Sequence, residues 1–317
     1  MKICVYGAGA VGGLMAVWLS RSGHDVSLVA RGAQLEAIRR DGLRVRSKSG
    51  TESFRIKADA DPAKLGAQDY VLVTVKAQSL TDVAANIAPL LGKDTSVVTA
   101  MNGVPWWFLN LQLKSLDPDG ALARAIPTER VVGCVIHLSA STPEPGLIHH
   151  AMGAKLILGE PGGRNTARTQ RITEAFANAG FETTVSASIE KDFWVKLLGN
   201  VSFNPVSALT VTTADQLIRN DEVKAYMIEI MREVLAIGRA VGVDADIDPE
   251  ARIDMARALG AFKTSMHQDL EAGKRLEIDG LLAGTLEIAR KAGVRAPFTE
   301  SLFGLIRARA QSTGQYR

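Results

Sequence analysis

Two hydrophobic periods divide this chain. In the first half, short continuous apolar runs alternate with amphipathic ones. "KICVYG" (2–7), "DVSLVAR" (25–31), "YVLVTVK" (70–76) and "SVVTAMNG" (96–103) are apolar and rich in β-branched residues, as strands covered on both faces are. Between them, "LMAVWLSRSG" (14–23) and "SLTDVAANIAPLL" (79–91) have helical character. This alternation predicts a parallel sheet with helices on both faces. The runs 130–140, 146–153 and 155–160 read as shorter strands with antiparallel pairing. A helix over 165–179 and a strand over 181–185 complete a first domain, 1–186. From 187 the β-branched runs stop. Segments 187–204, 220–242 and 275–293 read as helices, several of them apolar over more than half their circumference. The expected fold class is α/β: a doubly wound sheet followed by an all-helical C-terminal domain, 187–317.

The first strand ends in "GAGAVG", which spaces Gly7, Gly9 and Gly12 as G-x-G-x-x-G. The motif follows a strand and opens a helix, the context a dinucleotide-binding turn requires. Gly7 allows the tight turn, Gly9 lets a pyrophosphate approach the backbone, and Gly12 permits close helix–strand packing. Ala10 and Val11 open the helix whose unpaired N–H groups face the phosphates. The first domain is therefore expected to be of Rossmann type and to bind NADPH/NADP+. A site that prefers NAD places an acid at the end of the second strand. Here that strand ends "LVARG", so Arg31 stands where a 2′-phosphate would be paired. An ordinary exposed arginine after a strand is the plainer alternative. Lys76 follows "VLVTV" and Asn102 follows "SVVTAM", at the carboxyl ends where open α/β sheets bind ligands. Each is expected to reach the cofactor ribose or the substrate, although either alone reads more simply as an ordinary loop residue.

One helical stretch has a polar stripe on an apolar background. In "FWVKLLGNVSFNPVSAL", Lys196, Asn200 and Asn204 recur every fourth residue. Positions four apart drift by only about 40° around a helix, so the three share one face. Trp194, Leu197, Leu198 and Val201 cluster opposite. A solvated face carries several charges, and this one carries a single ammonium, so it is expected to line a cavity. Pro205 is expected to end or kink the helix, leaving Asn204 near its end. A second polar cluster, "KTSMHQDLEAGKRLEIDG" (263–280), holds Ser265, Asp269, Glu277 and Asp279. By itself it reads as a mixed-charge surface helix.

Composition narrows the partners. The chain is 46% hydrophobic and 22% charged with a formal net charge of +3, and no Lys/Arg-rich run points to nucleic acid. Cys4 and Cys134 sit in apolar strands and read as small buried hydrophobes. That usage fits a cytoplasmic protein. The histidines lack metal-ligand spacing, so no metal is expected. No apolar run approaches a membrane span, and glycines interrupt the N-terminal one, which sets it apart from a signal peptide. The apolar helices make a homodimer plausible.

Taken together these residues resemble the ketopantoate reductase family (2-dehydropantoate 2-reductases) over nearly the whole chain. The resemblance rests on GAGAVG, "VTVKA" around Lys76, "MNG" around Asn102, "PGLIHHAMGAKLILG", the Lys-x3-Asn-x3-Asn-Pro stretch and "TSMHQDLEAGKRLEID". It implies a Rossmann domain and a helical domain with the active site in the cleft. The implied reaction is NADPH-dependent reduction of a 2-oxo acid to a 2-hydroxy acid in pantothenate synthesis. Carried over position by position, Lys196 matches the catalytic lysine and Glu277 the acid near it. Asn200 and Asn204 match substrate-binding amides, and Ser265 matches a residue that holds the substrate carboxylate. Lys76 and Asn102 match residues at the nicotinamide end. Hydride delivery to a ketone leaves negative charge on its oxygen, which an ammonium can stabilise and protonate. Two departures bear on the substrate. Ala214 stands where many relatives have a further asparagine, and Trp106 and Trp107 follow the "NG" loop, either covering the core or walling a larger pocket. Two rivals follow: a paralogous reductase of a bulkier 2-oxo acid, and a non-catalytic NADP(H)-sensing protein.

Overall fold

The structure is a computed structural model that describes residues 1–47, 50–258 and 260–316. The chain forms two compact units. One is Met1–Met101 with Asp119–Ile189, and the other is Asn102–Pro118 with Glu190–Arg317.

The first unit is built on one sheet. Its described strands are β1 (Lys2–Tyr6), β2 (Asp25–Val29), β3 (Leu43–Ser47), β4 (Gly50–Phe54), β5 (Lys57–Asp59), β6 (Gln68–Val73), β7 (Leu91–Thr99), β8 (Val131–Glu144), β9 (Leu147–Gly159) and β10 (Glu182–Val185). They lie in the order β4-β3-β9-β8-β7-β6-β1-β2-β5, with β10 paired to β9. Its helices are α1 (Ala10–Arg21), α2 (Gly32–Asp41), α3 (Leu80–Asn86), α4 (Ala121–Ala125) and α5 (Ala167–Asn178). The five strands from β7 to β5 in this order, β7-β6-β1-β2-β5, run parallel to their neighbours. Strand order reverses between β1 and β6, and that switch point opens a crevice at their carboxyl ends. Val5, Leu14, Leu28, Leu72 and Val98 are wholly buried in the core of this unit.

The antiparallel pair is longer than its pattern suggests. Segments 146–153 and 155–160 are one strand, β9, running against β8. Gly153 adopts φ +74°, and a Cβ there would stand 2.7 Å from the His137 carbonyl oxygen. The register slips between His137 and Ser139, so the strand bulges and continues instead of ending. The parallel runs begin and end within a few residues of their expected places. Strands β3, β4 and β5 have no counterpart in the sequence reading, because their mixed polarity hides the period.

The second unit holds α6 (Ile189–Thr210), α7 (Ala214–Arg219), α8 (Asp221–Ala240), α9 (Pro249–Arg257), α10 (Ser265–Glu271), a π turn (Asp279–Ala283), α11 (Gly284–Ala292) and α12 (Pro297–Ser312). Pro205 does not end α6: the helix runs five residues further. Every residue from Val201 to Ala208 is buried, and that packing outweighs the hydrogen bond a proline removes. Asn204 therefore lies inside the helix. The segment 275–293 is helical only from the π turn onward, because Arg275–Glu277 form an irregular stretch. No helix among the described residues is long and apolar enough to cross a membrane.

One buried charge ties β9 to α5. Glu160 is 1% exposed and accepts bonds from Thr166 Oγ1 (2.6 Å), Thr169 Oγ1 (2.7 Å) and Arg168 Nε (3.1 Å). Burial alone would raise its carboxyl pKa, but these donors outweigh burial and hold it at about 2, against an ordinary value of 4.5. A depressed carboxyl contributes stability above the unfolded pKa and loses it as pH falls through the folded one. Stability from Glu160 should thus be full above about pH 5 and decline toward pH 2. Glu160→Gln is expected to cost about 3 kcal/mol at pH 7. Thermal unfolding from pH 7 to pH 3 checks this: the variant's curve should be flatter than the wild type's over the acid limb.

Candidate active site

The glycine turn stands at the switch point. Gly7 follows β1 with φ +114°, a conformation that favours glycine. A Cβ on Gly12 would fall 2.2 Å from both the Gly7 carbonyl oxygen and Thr74 Oγ1. Thr74, just past β6, donates to that same carbonyl at 2.7 Å. The turn is therefore locked from both strands of the switch point. Gly9 differs: nothing lies within 4 Å of where its Cβ would be. It caps α1 with no side chain on the helix's free N–H groups. Open space over an uncapped helix start is what a pyrophosphate needs.

A cleft of about 500 Å³ extends from this turn. Gly7, Ala8 and Gly9 line it together with Arg31, Gln34, Asp82 and Asn86. The residues present fit a dinucleotide. Arg31 N-caps α2, and its guanidinium meets Asp82 Oδ2 at 2.7 Å. Asp82, on α3, is thus the partner of Arg31, which no pattern in the sequence signals. Gln34 was likewise not foreseen. Its amide donates to the Ala8 carbonyl at 2.6 Å and accepts from the Gly146 N–H at 2.9 Å, buttressing the turn. Ala10 and Val11 form the first turn of α1. Lys76 is half-buried at the end of β6, N-capping a 3₁₀ turn.

In the second unit α6 carries the polar stripe. Lys196 and Asn200 are half-buried and Asn204 is buried. Lys196 Nζ donates to Asn102 Oδ1 at 2.8 Å. Asn102 comes from 94 residues away in sequence, on the segment Asn102–Pro118 that belongs to this unit. That segment is fixed beside the π turn. Val104 N–H donates to the Gly280 carbonyl at 2.8 Å. Gly103, at φ +82°, approaches so closely that a Cβ would stand 2.5 Å from the same oxygen. Glu277 is half-buried and lies two residues before the π turn. π turns recur at functional sites.

The remaining positions are placed by neighbouring bonds. Ser207, one turn beyond Asn204, pairs with Thr264 Oγ1 at 2.5 Å. This pins α10, whose first residue is the exposed Ser265, against α6. The buried Gln315 amide donates to the carbonyls of Asp269, Leu270 and Lys274, holding the loop that leads to Glu277. Tyr316 donates to Asp279 at 2.7 Å. Burial and that carboxylate push the phenol up to about 12. These C-terminal contacts were not foreseen in the sequence. Trp106 and Trp107 are 4% and 2% exposed, and Trp107 packs edge-on against Phe193 with centroids 5.5 Å apart. Trp107 is therefore core. Ala214 is also core: it is wholly buried, and its N–H donates to the Phe262 carbonyl at 3.0 Å.

A locked glycine turn at a switch point and a lysine stationed between amides define a class, the dinucleotide-dependent oxidoreductases. The chain belongs to the ketopantoate reductase PanE/ApbA family: the family's model matches residues 3–163 and its C-terminal model matches residues 188–310. A 2-dehydropantoate 2-reductase from Mesorhizobium japonicum is 42% identical, with 100% of each chain covered. One from Pyrococcus horikoshii is 31% identical, with 99% of each covered. A crystal structure from Ralstonia solanacearum MolK2 is 45% identical, covers 99% of each chain and superposes with a TM-score of 0.96. The protein is accordingly an oxidoreductase that acts on a CH–OH group.

The second and third glycines of the motif should fail differently. Gly9→Ala has room in the protein and should leave the melting temperature unchanged while weakening dinucleotide binding at least about 10-fold. Gly12→Ala must displace backbone and should cost about 1–3 kcal/mol of stability. Paired fluorescence titrations and thermal melts distinguish them; equal loss of stability in both variants would contradict the assignment.

Proposed function

We propose that the protein reduces the ketone of 2-dehydropantoate to the hydroxyl of pantoate with NADPH, and that Lys196 delivers the proton. The observation that carries this reading is the Lys196–Asn102 bond on a helix that also presents Asn200 and Asn204. Relatives over the full chain length are 2-dehydropantoate 2-reductases. NADPH supplies the hydride when bound. The chain's own residues do the rest. Asn102 accepts one ammonium N–H and so aims Lys196. As charge develops on the ketone oxygen, Lys196 stabilises it by hydrogen bonding and then transfers a proton, leaving the hydroxyl. Glu277 is assigned to the neighbourhood of this lysine and the nascent hydroxyl. Asn200 and Asn204 bring donors and acceptors without a second charge, which suits an uncharged hydroxyl or carbonyl. Ser265 is assigned to the carboxylate. In the first unit Gly7, Gly9, Ala10, Val11 and Gly12 hold the pyrophosphate, and Lys76 serves the nicotinamide end.

NADPH is preferred over NADH in this reading because Arg31 can exchange its exposed partner, Asp82, for a 2′-phosphate. An exposed ion pair is worth at most about 1 kcal/mol, so a dianionic phosphate outcompetes it.

NADPH absorbance with ketopantoate tests both assignments. Wild-type enzyme should oxidise NADPH much faster than NADH. Lys196→Ala should lower kcat by about 100- to 10,000-fold with dinucleotide binding retained. Arg31→Ala should raise KM for NADPH about 10-fold or more and leave that for NADH nearly unchanged. Wild-type protein that binds NADPH yet leaves ketopantoate untouched would sink the substrate assignment.

A further inference from the structure

Arg252, on α9, has no part in the mechanism above. Its guanidinium rests on the backbone of α6 at Gly199. A Cβ on Gly199 would stand 2.3 Å from Arg252 Nη2, 2.9 Å from Cζ and 3.2 Å from Nε. Gly199 is buried inside a helix, where glycine is disfavoured relative to alanine. Any side chain there would close the seat the guanidinium occupies.

The cation in that seat is half-buried and unanswered. Among the described residues the Arg252 guanidinium makes no hydrogen bond and no ion pair. Burial pushes its pKa down, with no carboxylate acting against that effect. Its nitrogens are not sealed from solvent. Two amides on α6 share this condition. Asn200 is half-buried and Asn204 is 7% exposed. Neither side chain has a partner among the described residues, and neither is sealed. Polar groups withdrawn from water without partners cost free energy unless a ligand completes them.

Helix geometry relates the groups. Around α6, Gly199 lies about 60° from Lys196 and about 100° from Asn200, one on each side of the lysine's direction. It lies about 4.5 Å along the axis from Lys196. A planar cation therefore flanks the proton donor on one side while the amides flank it on the other. Ser265, the residue assigned to the substrate carboxylate, is neutral. Charge-assisted bonds are roughly twice as strong as neutral ones, and a guanidinium matches a carboxylate with two parallel N–H groups.

We propose that Arg252, seated on Gly199, is a binding residue of this site that grips a carboxylate of the 2-oxo acid. The inference rests on the reductase reading given above. The carboxylate is either the one every 2-oxo acid carries beside its ketone or the distal one of a 2-oxo diacid.

Calorimetric binding of ketopantoate, 2-oxoglutarate and oxamate to the full-length NADP+-loaded protein tests this. Arg252→Met should weaken ketopantoate at least about 30-fold with NADP+ affinity unchanged, and Arg252→Lys should recover part of the loss. Gly199→Ala should expel the guanidinium and give the same weakening, with a melting temperature equal to or above wild type. A loss confined to 2-oxoglutarate would support the inference and identify the distal carboxylate. Arg252-dependent binding of oxamate or 2-oxoglutarate, with ketopantoate ignored, would support it while removing ketopantoate as the substrate. If folded Arg252→Met and Gly199→Ala bind every acid as wild type does, or if wild type binds none of them, the inference is wrong.

Discussion

An ammonium held half out of water on an apolar helix has to be hydrogen-bonded, and the Lys196–Asn102 bond meets that requirement. The bond is informative only if Asn102 is itself fixed. Its segment is anchored at both ends within the helical unit. Val104 binds the π turn through Gly280. Further along, the Lys114 and Ser115 N–H groups and the Ser115 hydroxyl all donate to the Glu287 carboxylate on α11. Burial works against that charge, and the three donors outweigh it and keep the carboxyl pKa low. A chemical group on α6 is thus aimed by a loop whose own position is set by a carboxylate on α11. The strength of the device lies in short local bonds, each ordinary.

Legibility followed the period of the pattern. Parallel strands buried on both faces announce themselves as unbroken apolar runs, so β1, β2, β6 and β7 could be read. The glycine turn could be read because its three positions answer three separate steric demands. Pro205 signals a helix end by local preference alone, and packing overrides it: α6 is buried on nearly all sides around it, and tertiary contacts hold the helix through the lost bond. The bulge at Gly153 misled for the opposite reason, since a glycine in a strand marks a break or a bulge with the same letter.

Side-chain pairing was the least legible layer. The stripe of Lys196, Asn200 and Asn204 follows from helical spacing alone, but its partner Asn102 stands 94 residues earlier. Asp82 opposite Arg31 and Glu287 opposite Ser115 are also remote, 51 and 172 residues apart. A single sequence has no term for such distances. Gly199 did carry a signal. A glycine in mid-helix, on a buried face and away from any cap, asks for a close neighbour, although nothing in the pattern names Arg252 as that neighbour.

The two cations along α6 are suited to different tasks. Reduction of a ketone needs a group that can surrender a proton, and an anionic substrate needs a group that never does. A lysine can do the first. A guanidinium does not lose its proton in a protein, so Arg252 keeps its charge even though burial pushes its pKa down. Its flat fork also lies close against the bare backbone of Gly199, with donors that match a carboxylate in pairs. Under the proposed roles, exchanging the two residue types would place a permanent cation at the reacting oxygen and a titrating one at the anchor. The helix then would stabilise developing charge without completing the hydroxyl, and would hold its substrate less firmly as its anchor lost protons.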